Sequence, residues 1–461
     1  MGQLKSKPYI SIEQIGNKSA ISRFIDCRKD DNMSNLQRPG LGAALANLGA
    51  EKHVSVFEWV EKSICAAVSG GSLYKVEEDG TSTEITGAAV TGGKRASFAS
   101  FGQTLYMAAG GKIVSWDGGP TCSVIADADA PTDVVFVAFL DQYLLALDST
   151  GTMHFSDVNS PGTWLGEFFN AESRPDTTIA MMSHYSEITM FGTSSIEYWY
   201  DTGELTGPFA RIAEANTDIG IIAPYSLTFA DNGYWFLTHE RRIAVMRGRT
   251  PQVVSWPVDE FGENSFQNLG TVSDAFGWYD PKTTTYVLTF PSESVSWAYD
   301  IKRDVWSEWT HYKDGRNAFK GQSACYMRAW NKTIVGGDDG KVYILSTGND
   351  NDDGQLIVSE IQWPSQVRAK GQRKAVLNEI DLEFKRGIGG IAPSTEPFAE
   401  FSYRKDGKTE WSTGRTINLG QAGETELNRR LVGFGAFRSI EYRTIMSAPG
   451  WVLADEAEVI S

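Results

Sequence analysis

Cysteine and histidine are scarce in this sequence, four and five residues respectively, and they do not cluster. Cys27, Cys65, Cys122 and Cys325 lie far apart, with no CxxC pair and no nearby histidine, so zinc-finger and dithiol-redox readings have no footing. A disulfide-stapled domain would be denser in cysteine. Four small core thiols in a reducing cytosol are the expectation. His53, His154, His184, His239 and His311 are scattered, and neither HExxH nor GxSxG occurs, so no catalytic, cofactor-binding or metal-ligating residue is assigned. Long apolar runs are also missing. VVFVAFL (134–140) is among the longest, far short of the ~20 residues that cross a bilayer, and MGQLKSKPYIS carries no secretory signal. No membrane insertion is expected. Gly2 with Ser6 fits the myristoylation pattern, but that pattern recurs by chance and needs a eukaryotic enzyme.

An excess of basic charge is absent too. The net charge is −16 and its distribution is uneven. Residues 1–52 hold 8 basic and 5 acidic side chains and 355–461 hold 14 of each, leaving 20 basic against 39 acidic between them. A DNA-gripping protein needs the opposite sign to neutralise phosphates. An acidic middle region aids solubility, or lets DNA slide past without sticking.

Several stretches approach known motifs and miss. GAAVTGGKR (87–95) is one residue out of P-loop spacing, with Arg95 where a magnesium-binding Ser or Thr belongs, and reads as a turn. GLGAAL at Gly40 lacks a βαβ context. GNDNDDG (348–354) suggests calcium, but an EF-hand register counted from Asp350 places Gln355 and Ile361 at the required Gly and Glu positions. Asp350 to Asp353 therefore read as a solvated linker, with any bound ion left open. Asp338-Asp339 in GGDDGK reads as a hairpin turn with glycine supplying positive φ.

What is abundant is β-sheet material: 12% aromatics and 46 glycines suit short antiparallel strands joined by tight turns. SLYKVEEDGTSTEIT (72–86), QTLYMAAGGKIVSWDG (103–118) and GYWFLTHERRIAVMRG (233–248) each read strand, turn, strand. Units of about 40 to 48 residues, the size of a four-stranded propeller blade, begin near His53, Arg95, Val135, Thr178, Ile221, Leu269 and Arg316. Their middles share a cue: ICAAVSGGSLYKV, TLYMAAGGKIVSW, EITMFGTSSIEYWY, TTYVLTFPSESVSWAYD and KTIVGGDDGKVYIL. The expected fold is all-β, a β-propeller with seven blades favoured and six or five as alternatives. Stacking blades around an axis buries sheet faces that a lone blade would expose.

The polar break at GNDNDDG marks the propeller's exit. Beyond it AVLNEIDLEFKRG (375–387) alternates as a half-buried strand, GIGGIAPSTEP is a loop, FAEFSYRKDGKTEWS (398–412) is a hairpin, and RSIEYRTIM and WVLADEAEVI are further strands. DGKTEW (406–411) resembles an Asp-box turn, in which the Asp accepts backbone N–H groups and the Trp packs underneath. SAISRFIDC is a candidate strand and GLGAALANLG a candidate short helix. The expected division is an N-terminal segment 1–52, a propeller 53–348 and a C-terminal β-sandwich-like domain 349–461, the two terminal segments together building one platform.

Three stretches resemble the packaged-DNA stabilisation family of P22-like short-tailed phages, the tail hub or nozzle proteins, whose counterpart in T7-like phages is the tubular tail nozzle. They are SRFIDCRKDDN (22–32) with LQRPGL (36–41), EITMFGTSSIEYWYDTG (187–203), and FSYRKDGKTEWSTGRTINLGQAGETELNRRLVGFGAFRSIEYRTIMSAP (401–449). In the last, Lys408 replaces the second glycine of the family's usual DGG. The resemblance transfers no catalytic residue. It implies a non-enzymatic virion component, assembled in the host cytoplasm as a hexameric ring below the portal and its adaptor. That ring would retain packaged DNA, pass it on at ejection, and contact fibres, spikes or a needle. The competing reading is a glycan-binding or sialidase-like propeller, which needs an arginine cluster and a Tyr–Glu pair that no spacing singles out.

Overall fold

The computed structural model describes residues 3–6, 23–171, 174–184, 186–204, 206–213, 215–259, 264–367, 375–386, 398–420, 424–448, 451–453 and 457–460. The architecture is all-β. A seven-bladed propeller is joined edge to edge with a two-sheet sandwich. Blades one to six are four-stranded antiparallel units spanning 54–87, 97–124, 134–169, 178–211, 228–253 and 276–308, the first two linked at their outer strands. The seventh takes three strands from 321–345 and its fourth, Ala46–Asn47, from near the start of the chain.

The shared cue at the middle of each unit is the second and third strand of a blade. Those second strands are buried on both faces: Ile64–Ser69, Gly233–Leu237 and Thr285–Phe290 have no exposed residue. The outer strand Ser82–Gly87 is mostly exposed. Burial on both faces follows from blade stacking, and seven apolar clusters fill the seven gaps between successive blades. Each buried Leu, Ile, Phe or Val there contributes roughly 1.5–3 kcal/mol.

The ring closes between blades seven and one. Ser323 Oγ accepts from Val56 N (3.0 Å) and donates to Val54 O (2.7 Å). Beside it the segment 45–48 runs extended along Lys341–Leu345, with Leu45 N on Val342 O (2.7 Å) and Leu48 N on Gly340 O (2.8 Å). This corrects the short helix expected at GLGAALANLG. Gly42 has φ +64°, and a Cβ at Gly40 would lie 2.7 Å from the carbonyl oxygens of Asn349 and Asn351. A strand pairing that closes the ring outweighs the weak helix preference of an alanine-rich stretch.

The sandwich draws on both ends of the chain. One sheet runs Arg23–Ile25, Ser359–Val367, Ser439–Met446, Phe398–Lys405, Arg415–Asn418. The other is centred on Ala375–Arg386, flanked on one side by Thr425–Phe437 and on the other by Ala457–Ile460 and Val452–Leu453. Gln3–Ser6 pairs with the former, Asn35–Gln37 with the latter, and Cys27–Lys29 lies at the edge. The expected alternation is present, since Ile380, Leu382 and Phe384 point inward between half-exposed neighbours. Trp363, Phe401, Phe434, Tyr442 and Trp451 form the core. Ile25 pairs in parallel with Glu308, the end of blade six's outer strand, so one sheet runs without a break from propeller to sandwich. The loop expected at 387–397 lies outside the described residues.

Candidate functional site

The first family-like stretch builds the joint between propeller and sandwich. The chain crosses from one sandwich sheet to the other at Asp26, which has φ +52°. Its carboxylate is 1% exposed and accepts from Arg38 Nε (2.6 Å), Thr310 N (2.7 Å), Thr310 Oγ1 and Arg316 Nη1 (3.2 Å). Arg38, also 1% exposed, reaches Asp352 Oδ2 through Nη2 (2.5 Å) and lies over the Phe319 ring at 4.7 Å. Asp352 Oδ1 accepts from Leu41 N (3.0 Å). Arg23 grips Glu308 with two hydrogen bonds, and Arg316 reaches Glu360.

Burial pushes the Asp26 carboxyl up, against the pull of Arg38 and Thr310. Burial also acts on Asp352, but Arg38 and its hydrogen bonds hold that carboxyl down at about 2. The solvated linker expected at Asp350 to Asp353 is thereby corrected: Asp352 is 2% exposed, because it caps the Arg38 guanidinium. Asp353 binds Lys341 (2.6 Å). Nothing local in the sequence signals a partner 314 positions away.

A second polar contact links the inner strands of blades that are not neighbours. Arg95, the residue that spoiled the P-loop match, reaches from just before blade two's inner strand to blade seven, where Nη1 and Nη2 donate to Gln322 O and Oε1 (both 2.7 Å). Its guanidinium lies 3.5 Å from the centre of the Phe276 ring of blade six. Burial lowers its pKa to about 10, so it remains charged near neutrality. The stretch 88–96 itself is a loop leading into the strand Ser97–Phe101, without the helix that a phosphate cradle requires.

The second family-like stretch lines a cleft of about 750 Å³ between blades four and five, opening at the end that carries the hairpin turns of Asp141, Ser186, Asn232 and Gly248. Phe229, Tyr198 and Tyr234 wall it, with His184 4.1 Å from Phe229 between ring centres. Tyr200 stands 41% exposed at the rim. Glu187 pairs with Arg249 (2.7 Å), whose guanidinium lies 5.0 Å from the Tyr198 ring. Asp141 and Asp201 complete the lining. Of the set that a sialidase-like site requires, Glu187 and several tyrosines are here, but among the described residues Arg249 is the sole arginine in the lining.

The third stretch forms the sandwich hairpin. Asp406, at φ +54°, accepts from the backbone N–H groups of Arg438 (2.6 Å) and Ser439 (3.2 Å), as an Asp-box aspartate should. Trp411 departs from that pattern. It is half-buried between the guanidinium groups of Arg404 (4.7 Å) and Arg443 (4.6 Å) rather than tucked under its turn. Cys27, Cys65 and Cys122 are buried and Cys325 half-buried, all as free thiols. Cys65 and Cys325, 260 positions apart, meet across the seventh-to-first blade gap, where hydrogen bonding to Cys65 and burial push the Cys325 thiol up. Among the described residues, no group of three or more His, Cys, Asp or Glu could hold a metal ion, and no helix is long and apolar enough to cross a membrane.

A family model described as bacteriophage P22 Gp10, beta-propeller, matches residues 36–349. The chain belongs to this family. It is thus a P22-like packaged-DNA stabilisation protein, a phage structural component of the virion. No curated protein matches the chain. Among solved structures, the WD40 propeller domain of Doa1 is 14% identical, with a TM-score of 0.43 over 67% of this chain and 96% of that one. The computationally designed Ika8 protein is 15% identical, with a TM-score of 0.38 over 66% and 99%.

Proposed function

We propose that this P22 Gp10 family member is a subunit of the short tail's nozzle or hub ring. In this reading a hexamer, assembled in the host cytoplasm, extends the DNA conduit below portal and adaptor, retains the packaged genome and passes it on at ejection. Fibre, spike or needle proteins attach to its outside. Family membership carries the reading. Two features support it physically. The sheet shared by blade six and the sandwich, locked by Arg38, Asp26 and Asp352, makes a stiff joint suited to bearing load. The negative charge of 53–354 disfavours tight DNA binding. In this reading DNA passes between subunits arranged in a ring and not through any one propeller. The division at residue 348 is proposed with it, with the sandwich as the platform of ring contacts; the boundary expected at residue 52 is corrected to one before Ala46–Asn47, which belongs to blade seven. Particles made without this chain should fill with DNA and then lose it, and adding the purified full chain before release should restore retention. Stable filled particles in its absence would sink the proposal.

A further inference from the structure

Beyond that reading, and independent of it, the cleft between blades four and five has the chemistry of a recognition site. Among the described residues its lining carries three carboxylates, Asp141, Glu187 and Asp201, against one cation, Arg249. Arg249 is already spent on Glu187 at 2.7 Å. Asp201 Oδ1 accepts only from Gly203 N in its own turn (2.8 Å), and Asp141, exposed, has no ion pair among the described residues. Burial pushes His184 down, so it adds no positive charge at neutral pH. Burial and then Asp201, Asp157 and Glu167 push up the neighbouring Tyr143 phenol, which marks the same negative field. Below this acidic rim the walls are apolar or aromatic: Ile212, Phe229, Tyr198, Tyr234 and Met246. Exposed Tyr200 offers a ring face at the mouth.

We infer that this cleft binds an alkylammonium or guanidinium group on an apolar stem, presented as a lysine or arginine side chain by a partner protein. The side chain crosses the open cleft instead of plunging into it, its stem passing over the aromatic wall and its charged head reaching Asp141, Asp201 and the Tyr200 ring at the acidic rim. The volume falls in the range of ligand-sized sites, and one terminal charge on an aliphatic stem fits one acidic rim over one apolar wall. A free polyamine fits less well, because its further ammonium groups would lie against that wall without a counter-charge.

The test uses the full chain labelled with fluorotyrosine, the Tyr200 signal being assigned with Tyr200→Phe. It is titrated with acetylated, amidated Gly-Lys-Gly and Gly-Arg-Gly peptides, the uncharged Gly-norleucine-Gly analogue, and spermidine. Saturable shifts with the lysine and arginine peptides, and none with norleucine, are expected. Asp141→Asn should weaken the affinity about five-fold, as should about 0.5 M salt. Asn tolerates the positive φ at this position, and an unchanged melting curve confirms that the variant folds. Equal binding of the norleucine peptide, no saturable shift with any peptide, or spermidine binding more tightly than the peptides would each overturn the inference.

Discussion

At the scale of single residues, the joint shows how a buried ionic network is kept only when every member is present. Replacing Arg38 with Met leaves buried Asp352 without its arginine and Asp26 with Arg316 alone, a loss that costs about 3–5 kcal/mol. A marked fall in melting temperature is expected, with partial recovery on adding Asp26→Asn and Asp352→Asn. Asp352 also sets a pH dependence. Its carboxyl is held at about 2 in the folded chain, against roughly 3.9 when unfolded. Its contribution is therefore full above about pH 4 and is lost as the pH falls towards 2. Acid titration of tryptophan fluorescence should show a destabilising step in that window, smaller in Asp352→Asn. Gly340 is a second sensitive position. It has φ +76°, and a Cβ there would meet Gly49 O at 1.9 Å. Gly340→Ala should cost about 1–3 kcal/mol, seen as a lower thermal midpoint.

At the scale of elements, the closing strand is the weakest link in the ring. Ala46–Asn47 is two residues long and leans on backbone hydrogen bonds from Leu45 and Leu48. Leu45→Pro removes one of those donors. Amide exchange in Lys341–Leu345 is then expected to speed up while blades three to five keep their protection; uniform exchange in wild type and variant would show that this strand does not hold the ring shut. The blades were readable beforehand because their signals are local. A buried second strand such as Ile64–Ser69 is an apolar run, and Asp338-Asp339-Gly340 is the expected turn between Lys332–Gly337 and Lys341–Leu345. The closing strand was not readable. GLGAALANLG has no strand pattern of its own and becomes one only by pairing with residues about 295 positions away.

At the scale of the whole molecule, charge and architecture lead to one further expectation. With 39 acidic against 20 basic residues in 53–354, duplex DNA should show no saturable binding to the full chain even at about 50 mM salt, where counterion release most favours association. A tight complex in a mobility-shift assay would contradict the proposal that DNA slides past this protein.

The sequence alone determined the rhythm of the protein: strand after strand of apolar and β-branched residues, glycine and aspartate turns, units of blade size with seven favoured over six or five, and an alternating pattern after residue 355. Those properties reside in neighbours along the chain, where side-chain period and turn chemistry act. Only the tertiary structure decided that Asp352 is buried, that Cys65 meets Cys325, that Arg95 reaches blades six and seven, that Ala46–Asn47 completes the last blade, and that the stretch 187–203 faces a cleft. Each of these joins residues brought together by ring closure, blade stacking or the joint between propeller and sandwich, and no local preference encodes which distant strand a residue will face.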